Sequence, residues 1–169
     1  LRAALRVAGQ PLVQLDIKNS EPQFMCLAAR RMGVDDHRYL DLCQQDLYQY
    51  LAEQGSWTRK EVKEQLTQAA LFAANTSPHQ RLPVKQLFDQ EFPKTARFIH
   101  DMKAGENTDD NPKPHNALAK LAQKTEANFL IYGMGSATPG VCQRIRNESP
   151  NCWIGTIHDS LLVLPETAE

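Results

Sequence analysis

Two aspartates, Asp16 and Asp159, each stand where a β-prone run stops. Asp16 comes near the end of Pro11-Leu-Val-Gln-Leu-Asp-Ile17, where Leu12, Gln14 and Asp16 alternate with Val13, Leu15 and Ile17. That is the period-two pattern of a strand with one strongly apolar face. Asp159 lies in His158-Asp159-Ser160, between the apolar runs Cys152–Ile157 and Leu161–Leu164, and reads as the tip of an antiparallel hairpin. If these strands are neighbours in one sheet, both carboxylates meet at its rim on rigid backbone. Hard, acceptor-only oxygens held in that way are what two Mg²⁺ ions about 3.5–4 Å apart share, with water and phosphate oxygens completing their octahedra. On spacing alone the pair also reads as turn residues or helix caps.

A second constellation is cationic. Arg59 and Lys63 are four apart in a helical stretch, so both project from one face and can meet a polyphosphate. Arg59 would grip it with a planar fork and Lys63 would act as a point charge or proton donor. The bland alternative is a solvated face shared with Glu61 and Glu64. Glu21, at a helix start, complements the helix dipole. Cys26, Cys43, Cys142 and Cys152 form no CxxC pair and have no histidine at metal-ligand spacing, which fits reduced thiols in a cytosolic protein.

The elements that must position these groups follow from periodicity and punctuation. Glu21–Pro22 starts a helix that runs to about Met32 and stops at Gly33. Tyr39 to about Glu53 reads as one amphipathic helix through Leu40, Cys43, Leu47 and Leu51. Thr58 with Glu61 forms a capping box for a third helix, which carries Val62, Leu66, Ala69 and Ala70 on one face to about Ala74. After a turn-rich break at Asn75–Leu82, two helices are expected at Val84–Glu91 and Lys94–Lys103, separated at Pro93. Gly105–Pro114 is a polar loop, Asn116–Tyr132 a long helix, Gly133–Gly140 an interruption and Val141–Asn147 a short helix. Helices between strands near the two ends give an α+β fold, a small antiparallel sheet backed by helices.

With 169 residues, 41% hydrophobic and 23% charged, the chain suits one domain, or one with a small appendage. No run approaches the ~20 apolar residues of a membrane helix. Arg2, Arg6 and Gln10 break up any signal-peptide pattern. A net charge of -1 argues neither for nor against nucleic acid, which needs a local basic track and not a basic total. The opening on Leu1 is what a piece of a longer or a processed protein would show.

Five segments in order resemble family A, polymerase I-like, DNA polymerases. Asp16-Ile-Lys-Asn-Ser-Glu-Pro22 resembles motif A, and Thr156-Ile-His-Asp-Ser160 resembles motif C. Arg59-Lys-Glu-Val-Lys63 is similar to the start of the motif B fingers helix, Asp46-Leu-Tyr48 to the Asp-Ile-His segment ahead of it, and Gln123-Lys-Thr-Glu126 to the Gln-bearing helix before motif C. Glu21-Pro22 and His158-Asp159-Ser160 are closest in style to divergent phage or mobile-element members.

The resemblance implies a polymerase palm at 1–38 and 113–169, and a helical fingers insertion at 39–112. Asp16 and Asp159 would be catalytic and hold two Mg²⁺ ions, for which Mn²⁺ can substitute, with the Ile17 carbonyl as a further ligand. Glu21 would exclude a 2′-hydroxyl, Tyr48 would line the nucleotide pocket unless it packs in the core, its more ordinary role, and Arg59 and Lys63 would bind the triphosphate. Gln123 and His158 would touch primer–template DNA. The partners would be primer–template and dNTPs, in the cytoplasm of a bacterial or phage-infected cell, with no membrane.

The sequence also departs from the family. Its stacking aromatic, eight positions after the motif B lysine, is replaced by Leu71, and Phe72 could serve only if the helix is slightly rewound. Gln23 replaces an arginine of motif A. The 15 residues before Asp16 leave no room for a thumb, which would have to lie in a missing N-terminal region or a partner chain, and there is no exonuclease domain. A catalytically weak or inactive nucleic-acid-binding descendant is therefore the rival reading. A nucleotide hydrolase comes third, because Gly133-Met-Gly135 lacks the lysine and strand of a phosphate loop.

Overall fold

The computed structural model describes residues 5–105, 113–133, 138–157 and 159–168. The fold is α+β with two small antiparallel sheets. It divides into two compact units, one made of Leu1–Ser20 with Glu126–Glu169 and the other of Glu21–Thr125.

In the first unit, β1 (Arg6–Val7) and β2 (Gln10–Pro11) pair across Ala8 and Gly9, both with positive φ as a type I′ hairpin turn requires. β3 (Val13–Asp16), β4 (Ile154–Ile157) and β5 (Ser160–Val163) form a three-stranded sheet in the order β3-β5-β4. Both pairings are antiparallel. The central strand, Ser-Leu-Leu-Val, is buried along its whole length, which explains why its apolar residues run consecutively instead of alternating. Leu130, Cys142 and Leu161 form the core here, joined by Ile17, Val141, Ile145 and Ile154. Cys142 and Ile145 come from α8 (Val141–Glu148), and Leu130 from a π turn at Asn128–Tyr132. That turn ends at Gly133, where φ is +89° and an added Cβ would lie 2.5 Å from the Thr138 carbonyl oxygen, so only glycine fits. A short α9 (Pro165–Ala168) follows β5.

The second unit is helical. It comprises most of α1 (Ser20–Arg31), then α2 (His37–Gln44), α3 (Leu47–Gly55), α4 (Arg59–Thr67), α5 (Pro83–Glu91), α6 (Pro93–Lys103) and most of α7 (Ala117–Ala127). Proline opens α5 and α6, where its missing N–H has no partner to lose. Tyr39 packs edge-to-face on Phe88 and Phe92, which meet each other tilted, with ring centroids 5.3–5.8 Å apart. The buried Tyr39 hydroxyl donates to the Pro22 carbonyl at 3.1 Å, which satisfies it.

Several expected boundaries shift. The single helix expected over Tyr39–Glu53 is two, because Asp46 leaves the helix and caps α3 by accepting from the Gln49 N–H at 3.2 Å. Aspartate favours that cap over a helix interior. The third and the long helices both end in π turns, at Gln68–Phe72 and Asn128–Tyr132. Of the loop expected at Gly105–Pro114, residues 106–112 lie outside the described residues. No helix among the described residues is long and apolar enough to cross a membrane.

Candidate functional site

The sheet brings the two aspartates to one rim. In the β3–β5 register Asp16 stands opposite Ser160, the residue next to Asp159. The Ile17 N–H donates to the Asp159 carbonyl at 3.2 Å, which closes the end of the ladder. Around them is a set of neutral donors. Gln14 Nε2 donates to Asp16 Oδ1 at 2.6 Å and to Ser160 Oγ at 3.1 Å, and Ser160 Oγ donates to the same Asp16 oxygen. Ser20 Oγ donates to Asp159 Oδ2 at 2.6 Å. Asn19 carries the backbone out of β3 through φ +51°, a left-handed turn that asparagine tolerates better than most residues. Asp16 is exposed and Asp159 half-buried. His158 lies outside the described residues.

As a donor set, two carboxylates and nearby backbone carbonyls suit a hard divalent cation, provided water and a ligand's oxygens fill the remaining positions. Among the described residues no group of three or more His, Cys, Asp or Glu could hold an ion by itself. Any cation held by Asp16 and Asp159 would therefore take its remaining oxygens from backbone, water or a ligand.

In the helical unit, four of the sequence-selected residues gather at α4. The Thr58 side chain accepts from the Glu61 N–H, while Glu61 accepts from the Thr58 N–H, so the capping box fixes where α4 begins. Arg59 and Lys63 then sit over one ring, with Arg59 Cζ 5.6 Å and Lys63 Nζ 6.0 Å from the Tyr48 centroid. Asp46 binds Arg59 Nε at 2.9 Å, and Glu21 faces Lys63 at 3.8 Å. Tyr48 is 2% exposed, and burial first, then the Glu21 carboxylate, hold its phenol well above the usual range.

A groove of about 460 Å³ runs along this helix, lined by Lys60, Lys63, Glu64, Thr67, Gln68 and Phe72. Its aromatic wall comes from Phe72 and not from Leu71. In a regular α-helix the eighth residue after Lys63 comes round about 80° from it, whereas the ninth comes out about 180° away, on the opposite side. At Gln68–Phe72, however, the Ala73 N–H reaches back five residues to the Gln68 carbonyl at 2.8 Å. This wider turn absorbs one extra residue and moves Phe72 to the bearing Leu71 would have held. Leu71 is 4% exposed and Phe72 45%. A larger hollow of about 610 Å³ between Val34 and Phe98 contains none of the sequence-selected residues. Gln123 is exposed on α7.

Comparison with known proteins returns no match among protein families, curated sequences or solved structures. The residues that spacing alone missed are Gln14, Ser20 and Ser160 beside the carboxylates and Thr67 in the groove. Only Ser160, adjoining Asp159 in sequence, carried a local signal.

Proposed function

We propose that the chain carries template-directed nucleotidyl transfer of the family A DNA polymerase kind, in which a primer 3′-hydroxyl attacks the α-phosphate of an incoming dNTP and pyrophosphate leaves. The observation that carries the reading is the antiparallel β3–β5 register, which pairs Asp16 with the residue next to Asp159 at one sheet rim. In this reading Asp16 and Asp159, with the Ile17 carbonyl, hold two Mg²⁺ ions. The chemistry such ions supply when bound is a lower pKa for the attacking hydroxyl and neutralised charge on the leaving phosphates.

The chain's own groups do the rest. Ser160, Gln14 and Ser20 orient the two carboxylates through hydrogen bonds. Lys63 and Arg59 bind the triphosphate, Phe72 offers its ring to the base, and Glu21 restricts the sugar to the deoxy form. Gln123 and His158 contact primer–template. The three-stranded sheet is the palm and the α4 region the fingers.

One observation favours the rival reading, a binding module without turnover. The neutral donors around Asp16 and Asp159 moderate the repulsion between two adjacent carboxylates, so no ion is needed to keep them together. Primer extension with Mg²⁺ or Mn²⁺, comparing the longest natural form of the protein with Asp159→Ala, separates the two. Extension lost on that substitution, by a factor of about 10³ or more, supports catalysis. A folded wild type that binds primer–template but never extends it leaves the binding module.

A further inference from the structure

The π turn at Gln68–Phe72 leaves a hydrogen-bond debt. In α register the Ala73 N–H would bond to the Ala69 carbonyl; here it bonds to Gln68 instead, and the chain turns extended at Ala73. The carbonyls of Ala69 and Ala70 therefore need donors from elsewhere. Two side chains distant in sequence provide them. Lys103 Nζ, from the last turn of α6, donates to Ala69 O at 2.7 Å and to Ala70 O at 3.2 Å. Gln80 Nε2 donates to Ala69 O at 2.8 Å.

Lys103 is 3% exposed. An ammonium is buried this deeply only where hydrogen bonds compensate its lost hydration, and a helix C-terminus favours a cation there. The charged groups facing it are Lys85 and Asp89 of α5, which pair with each other at 2.5 and 2.7 Å. Burial, then Lys85, push the Lys103 ammonium down to about 8.

We propose that Lys103 is a positioning residue: its buried ammonium, with the Gln80 amide, locks the end of the α4 helix in π register and so decides that Phe72, not Leu71, enters the groove beside Lys63. The two registers are alternatives of one helix end. In α register Ala73 retakes the Ala69 carbonyl, Leu71 swings toward the groove and Phe72 turns away by roughly 100°. Donors that bind the carbonyl of Ala69 from outside compete with the Ala73 N–H for it and hold the π form. The register does not depend on what the groove binds; only its effect on nucleotide affinity rests on the proposed function.

Scalar coupling across the hydrogen bond of the Ala73 amide, measured by NMR on isotope-labelled protein, reads the register directly. The wild type should couple Ala73 N to the Gln68 carbonyl, and Lys103→Met should move that coupling to Ala69. Gln80→Leu removes one donor from a half-buried, foldable site and should populate the same second register partially, so the proposal stays testable if Lys103→Met does not fold. Coupling that stays on Gln68 in Gln80→Leu and in any folded Lys103→Met overturns the clamp. Affinity for Mg²⁺·dNTP, measured on the same samples, should fall on the order of tenfold with the register. A register switch with unchanged dNTP affinity upholds the clamp and counts against the nucleotide reading of the groove.

Discussion

Leu71 and Phe72 are neighbours in sequence with opposite surroundings, and substitutions should separate their roles. Truncating Leu71 removes a buried side chain beside Ala69 and Ala70, so Leu71→Ala should cost about 2–4 kcal/mol in urea unfolding. Phe72→Ala removes a ring that is 45% exposed and should change stability by no more than about 0.5 kcal/mol. If the groove binds nucleotide as proposed, its effect should appear there, as an approximately tenfold loss of dNTP affinity, the size of a lost base–aromatic stack. Equal stability losses for the two variants would contradict the π-turned geometry. At the sheet rim, Asp16 and Asp159 accept from the buried Ser160 and Ser20 hydroxyls, so removing either costs some stability, and under the proposed function the larger effect should be read in primer extension.

At the scale of the element, α4 is defined at both ends by hydrogen bonds outside the regular ladder. At its start Thr58 and Glu61 satisfy each other's backbone N–H groups, and the Thr58 N–H bond, then the Thr58 side chain, hold the Glu61 carboxyl below its usual range. Thr58→Ala should therefore cost about 1 kcal/mol, measured by thermal or urea unfolding, and Thr58→Asp should restore most of it. The far end depends on Gln80 and Lys103. A helix capped locally at one end and from a distance at the other has its start fixed by its own sequence and its end fixed by its neighbours. α3 shows the local case again, since Asp46 both caps it and binds Arg59.

Across the whole molecule, buried ionisable groups set the response to alkali. Burial raises Cys26 to about 11 from 9.0, and Cys43, Tyr39 and Tyr48 are also raised, chiefly by burial. For each of these the folded state holds its proton more tightly than the unfolded chain. Their stability contribution is complete below pH 9 and is lost as pH rises through the folded values. Lys103 runs the other way: its folded value of about 8 against 10.5 means that stability is gained between those limits. Urea midpoints under reducing conditions should therefore hold or rise slightly from pH 8 to 9 and fall by pH 11, where these thiols and phenols, with the raised Tyr50 and Cys142, oppose one amine. Cys26→Ala should flatten part of that fall, and a midpoint still rising at pH 11 would contradict the assignment.

Sequence alone determined what depends on a few neighbouring residues. It fixed the β3 and β5 runs, the capping box at Thr58, the proline starts of α5 and α6, and the placing of Asp16 and Asp159 at strand ends, because pleat alternation, capping and proline sterics act locally. It also marked Arg59 and Lys63 as one helix face. It could not place the break at Asp46, where a cap competes with a continuing apolar stripe. Nor could it pair β3 with β5, a contact between residues 13–16 and 160–163. It pointed to Leu71 for the groove because an unbroken α-helix is the default. Only tertiary structure brought Gln80 and Lys103, 11 and 34 residues away, onto the Ala69 carbonyl. The reason is that a helix end with unsatisfied carbonyls takes whichever register leaves them best paired, and their partners here come from other helices.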